Sequence, residues 1–159
     1  MRATSTMEIS VGNSFLGGGD FYWKRPIAPA ALGKKLRILL VEDDEADAYL
    51  IRRALKSNPR VGEIVLAENG VEALDLIDRG AVRPDLAFID LRMPRKDGFA
   101  LLRDFSMREA AKFPAIVLTS SKAGADALRA RKRGAIQFVT KPSTEEKLAA
   151  ALNRAIAEV

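Results

Sequence analysis

From Leu36 onward, a short apolar run is followed by a stretch of helical spacing, and the pattern repeats five times. The apolar runs are Leu36–Val41, 64–67, Leu86–Ile89, 115–118 and 136–139, and each predicts a buried strand. The first helical stretch, 46–55, carries Ala46, Leu50, Ile51, Ala54 and Leu55 at helical spacing, with Asp44 placed to cap it. A second, 70–77, carries Val71, Leu74 and Ile77 and is closed by Gly80. The third, 99–110, puts Phe99, Leu102 and Phe105 on one side. A fourth covers 123–132 and ends before Gly134. The fifth, 145–156, has Ser143 or Thr144 as its cap. Strict alternation of this kind predicts an α/β fold: a five-stranded parallel sheet with helices on both faces. In such open sheets a ligand site lies outside the carboxyl ends of the strands.

Composition narrows the chemistry available there. The chain has no cysteine and no histidine among its 159 residues. Disulfides, thiolate metal sites, thiol nucleophiles and Ser-His triads are excluded, as is any phosphohistidine step within the chain. Carboxylates, hydroxyls and lysines remain. The net charge of +5 is mild and its basic residues are scattered, apart from Arg129, Arg131, Lys132 and Arg133, so no nucleic-acid partner is expected. No apolar run approaches a membrane span and no signal-peptide core follows the N-terminus, so a cytoplasmic protein with no membrane partner is expected. Residues 1–34, with Gly17-Gly18-Gly19, Pro26 and Pro29, read as a flexible N-terminal extension to a domain at 35–159. Phe21-Tyr22-Trp23-Lys24-Arg25 interrupts the extension as either a local packing patch or a docking segment.

The strand ends carry polar residues out of keeping with the runs before them. The first run ends in Glu42-Asp43-Asp44, the third in Asp90, the fourth in Thr119-Ser120-Ser121 and the fifth in Thr140-Lys141-Pro142. Singly, each has a structural explanation. Acids favour a helix N-terminus, Asp90 and Thr119 suit caps or turns, and a lysine is usually solvated. A parallel sheet would bring them to one edge together. Carboxylates so gathered repel and raise one another's pKa, which a cation relieves. Without His or Cys, a hard divalent ion, Mg²⁺ for preference, suits the donor set.

These residues resemble a known family. Leu39-Leu40-Val41-Glu42-Asp43-Asp44, the stretch Asp90-Leu91-Arg92-Met93-Pro94-Arg95-Lys96-Asp97-Gly98, Leu118-Thr119-Ser120 and Lys141-Pro142 resemble, in order, the motifs of bacterial two-component response regulator receiver domains. The resemblance implies a flavodoxin-like fold with strand order 2-1-3-4-5. It implies Asp90 as phosphoacceptor, Thr119 and Lys141 as phosphoryl contacts, and Mg²⁺ held by Glu42 (through water), Asp43, Asp90 and the backbone carbonyl of Arg92. Gly98 is expected to permit a tight turn, and the Lys141–Pro142 bond to be cis. The family's switch pairs the Thr hydroxyl with an aromatic on the fifth strand, here Phe138, which is equally readable as a plain core residue.

A histidine kinase or phosphotransfer protein is the implied donor, since the chain has no His. Output is expected through a protein partner or a homodimer at helix 4, strand 5 and helix 5, because the chain ends after its last helix with no room for an output domain. The opening 42–47 loosely resembles single-domain regulators paired with phytochrome kinases. The chain is therefore expected to be a phosphoacceptor signalling domain, with self-phosphorylation from a donor and slow autodephosphorylation. An interaction module of the same fold that is never phosphorylated is a second reading. A Mg²⁺-dependent phosphohydrolase is a third, disfavoured because Arg92 stands where such enzymes carry a second Asp. Arg92 could screen the phosphoryl group or steer a donor; the sequence does not choose.

Overall fold

A computed structural model describes residues 21–22 and 33–159. The elements, in order, are β1 (Phe21–Tyr22), β2 (Leu36–Val41), α1 (Glu45–Lys56), β3 (Val61–Ala67), α2 (Gly70–Asp78), β4 (Leu86–Ile89), α3 (Gly98–Ser106), a 3₁₀ turn (Glu109–Ala111), β5 (Ala115–Thr119), α4 (Gly124–Lys132), β6 (Gln137–Thr140) and α5 (Glu145–Ala157). Strands β2 to β6 pair in parallel in the order β3-β2-β4-β5-β6. Counted among themselves, these five strands give the expected 2-1-3-4-5.

Period-two alternation splits the apolar residues between two cores. Leu36, Ile38 and Leu40 of β2, Leu86 and Phe88 of β4, and Ile116 and Leu118 of β5 face Ile51 and Leu55 of α1 and Leu148, Leu152 and Ile156 of α5. Their neighbours Leu39, Val41, Ala87, Ile89 and Val117 face Leu74 and Ile77 of α2, Phe99, Leu102 and Phe105 of α3, and Ala127 and Ala130 of α4. The central strands are thus apolar on both sides, which is why they read as continuous runs. β3 is an edge strand with a mostly half-exposed pattern, and its start at Val61 escapes a reading that looks for unbroken apolarity.

The helix limits follow their caps. Asp44 accepts a hydrogen bond from the Asp47 N–H, and Thr144, not Ser143, accepts from the Lys147 N–H. Gly80 and Gly134 lie just past the ends of α2 and α4 with φ of 66° and 99°, the left-handed conformation that suits glycine. The third helix is shorter than its pattern predicts. It stops at Ser106, whose hydroxyl donates to the Arg103 carbonyl at 2.6 Å, and the 3₁₀ turn then buries Ala111.

One strand is additional. Phe21–Tyr22 pairs antiparallel with the outer edge of β6, Phe21 opposite Phe138 and Tyr22 opposite Gln137. The rest of the predicted extension before residue 33, including Trp23, Lys24 and Arg25, lies outside the described residues. Among the described residues no helix is long and apolar enough to cross a membrane.

Candidate functional site

Ladder hydrogen bonds continue past the strand ends and fix the acidic backbone. Glu42, one residue beyond β2, donates its N–H to the Ala67 carbonyl at 3.0 Å. Asp90, one residue beyond β4, donates to the Val41 carbonyl at 3.0 Å. Thr119 ends β5 opposite Thr140, and the Lys141 N–H donates to the Thr119 carbonyl at 2.8 Å. Three neighbouring parallel strands and the sheet's outer parallel strand thus deliver two acids, a hydroxyl and an ammonium to one edge.

The side chains meet as the sequence predicts. Lys141 Nζ lies 2.6 Å from Glu42 Oε2 and 3.9 Å from Asp90 Oδ1. Glu42 is 2 %, Asp90 7 % and Thr119 0 % exposed. Oxygens of Glu42, Asp43 and Asp90 lie within 4.8 Å of one another. Asp43 is exposed, so this carboxylate cluster opens to solvent on one side.

Burial pushes the Glu42 carboxyl up to about 7, against the pull of Lys141. Burial also raises Asp90, although Lys141, the Thr119 hydroxyl and the backbone of Arg92 and Leu91 draw it back. Burial works against the Lys141 charge, but hydrogen bonds to Asp47 and Glu42 outweigh it and hold the ammonium above its ordinary value. One ammonium among four carboxylates, two of them buried, leaves the edge short of positive charge. A hard divalent cation fits that deficit.

The Asp90–Gly98 loop shapes the rim. Lys96 N–H donates to the Pro94 carbonyl at 2.8 Å across Arg95, whose φ is 65°. Gly98 does not adopt the expected turn conformation. It begins α3, and its need for glycine is steric: a Cβ there would lie 2.3 Å from the Asp90 carbonyl oxygen. The Lys141–Pro142 bond is also not as expected, since no cis peptide occurs among the described residues. A trans bond is the ordinary state of X-Pro, and the Lys141 N–H is held to Thr119 without needing cis geometry.

Phe138 is buried on β6, packed with Val117, Ala127 and Ala130. Arg92 is exposed, and its backbone lies close enough to lower the Asp90 pKa. One residue of the site was not anticipated. Asp47, in the first turn of α1, pairs with Lys141 at 2.8 Å. It belongs to the acidic run 42–47, but the run alone does not tell which of its carboxylates turns toward the lysine.

Comparison with known proteins places this arrangement. The family model of the response regulator receiver domain matches residues 38–153. The chain is 36% identical over 115 residues to the response regulator MprA of Mycobacterium sp. (strain KMS), covering 72% of this chain and 48% of that protein. It is 31% identical over 122 residues to the sensor histidine kinase CheAY of Helicobacter pylori, covering 75% of this chain and 15% of the relative. The chain therefore spans less than half the length of these curated relatives. Among solved structures, the phosphorylated cyanobacterial phytochrome response regulator RcpA superposes with a TM-score of 0.71 at 29% identity, over 76% of this chain and 91% of that one. The Mn²⁺-bound response regulator Rcp1 gives 0.70 at 26% identity, over 77% and 92%.

Proposed function

The chain belongs to the response regulator receiver domain family, and on that premise we propose that Asp90 accepts a phosphoryl group from a partner histidine kinase or phosphotransfer protein. The observation that carries this reading is the meeting of Asp90 with Glu42, Asp43, Thr119 and Lys141 at one sheet edge. An Asp90 oxygen attacks phosphorus, the new O–P bond forms, and the bond to the donor's imidazole nitrogen breaks. The Lys141 ammonium and the Thr119 hydroxyl take the charge of the phosphoryl oxygens, as transfer of this kind requires. Glu42, Asp43, Asp90 and the Arg92 carbonyl are the residues that hold Mg²⁺, which when bound neutralises the anionic donor. A Mn²⁺-bound relative is consistent with that role.

Phosphorylation adds charge and acceptor oxygens beside Thr119, and Phe138 responds through packing, since it has no hydroxyl. The signal leaves through α4, β6 and α5 to a protein partner or a second copy. Any pairing of copies there would rest on α4 and α5, because β1 lies along the β6 edge at Gln137 and Phe138.

Acetyl phosphate with Mg²⁺ tests the reading. Intact-mass analysis is expected to show a phosphoryl adduct on the wild type and none on Asp90→Ala. A folded wild type that stays unshifted would favour an interaction module, and rapid turnover of phosphate monoesters would favour a hydrolase.

A further inference from the structure

Lys141 is claimed by more carboxylates than the phosphoryl site needs. Its Nζ sits 2.6 Å from Glu42 and 2.8 Å from Asp47, both hydrogen bonds, but 3.9 Å from Asp90, beyond hydrogen-bonding distance. Asp47 lies outside the cluster formed by Glu42, Asp43 and Asp90. A cation held by those three would draw on the charge of Glu42 and leave Asp47 as the carboxylate still bound to the lysine.

Both ends of the Lys141–Asp47 pair are anchored. The Lys141 backbone is tied to β5 through the Thr119 carbonyl. The Asp47 N–H is held by the Asp44 side chain at 2.8 Å, and α1 is docked by buried Ala48 and Ile51. Only the flexible lysine side chain is free to swing toward Asp90. A role limited to the helix macrodipole does not account for the contact. Glu45 already supplies an acid in that first turn, and Asp44 caps it.

We propose that Asp47 is a positioning residue that holds the Lys141 ammonium away from Asp90, so that each phosphoryl transfer must first draw the lysine off this carboxylate. The inference rests on Asp90 being the acceptor. In the transfer from acetyl phosphate, the Asp90 O–P bond forms, the donor's P–O bond breaks and acetate leaves. Lys141 stabilises the phosphoryl oxygens only after giving up Asp47. The Asp47 side chain is 40% exposed, so solvent screens the pair and the restraint is modest.

The test is the initial rate of phosphoryl uptake from acetyl phosphate at saturating Mg²⁺, read by intact mass. Asp47→Asn is expected to raise the rate about two- to fivefold. Asp47→Glu, which keeps a carboxylate in reach of the lysine, is expected to return the rate toward wild type. In a Lys141→Ala background, Asp47→Asn is expected to change nothing. An unchanged or slower Asp47→Asn protein that is folded by circular dichroism overturns the proposal. Equal acceleration in the Lys141→Ala background also overturns it, because Asp47 would then only repel the anionic donor. A folded wild type that takes up no phosphoryl group brings down the reading of Asp90 itself, and with it this inference.

Discussion

Glu42 is a carboxyl with almost no access to water, set beside Asp90 and relieved by one ammonium. Its folded pKa stands at about 7, against 4.5 for an unperturbed glutamate. A raised folded pKa means that the native state prefers the neutral carboxyl. The stability linked to Glu42 is therefore fully present below 4.5 and is lost as pH rises through about 7. Without divalent ions, thermal melts should show stability falling across that window, and Glu42→Gln should flatten the fall. In the proposed metal role, Mg²⁺ would reverse the balance, because it binds the ionised form. Calorimetric titration should find Mg²⁺ affinity climbing with pH until it levels off above about 7. Affinity that is flat between pH 5 and 8 would contradict a metal role for this carboxylate.

At the scale of elements, α3 begins hard against the end of β4, beside the Asp90 backbone. Gly98 donates its N–H to the Leu91 carbonyl at 3.1 Å and passes so close to the Asp90 backbone that no side chain fits. Alanine is the better helix former by about 1 kcal/mol, so propensity alone predicts a stabilised Gly98→Ala protein. The contact predicts the opposite: a loss of about 1–3 kcal/mol in urea unfolding, with slower phosphoryl uptake as Asp90 is displaced. The caps were partly legible. Asp44 and Thr144 stand before clear apolar periodicity and were readable as helix starts. Asn69 and Asp97 cap α2 and α3 just as directly, by accepting backbone N–H bonds, but their runs begin with glycine and give a weaker cue.

The described residues form one sheet with two cores, and the sheet's own side chains divide between them. Phe88 is fully buried at the centre of the face that α1 and α5 cover. Phe88→Ala should cost about 3–5 kcal/mol, a large share of a total stability of about 5–15 kcal/mol. Urea unfolding checks this, and Phe88→Leu, which leaves a smaller void, should lose clearly less. The two cores share every central strand, so the loss should appear as one cooperative transition shifted to lower urea, not as the melting of one face.

Local periodicity was enough to assign the fold class, because strand and helix spacing are written into consecutive residues and alternation leaves few parallel topologies. The meeting of Glu42, Asp43, Asp90, Thr119 and Lys141 followed from that topology, since parallel strands bring their carboxyl ends to one edge. Other features depended on distances between segments far apart in the chain. These include the glycine forced by the Asp90 carbonyl and the strand Phe21–Tyr22 on the β6 edge. The clearest case is Asp47. Six residues hold five acids there, and only the fold brings two of them to the lysine, Glu42 from the end of β2 and Asp47 from the first turn of α1.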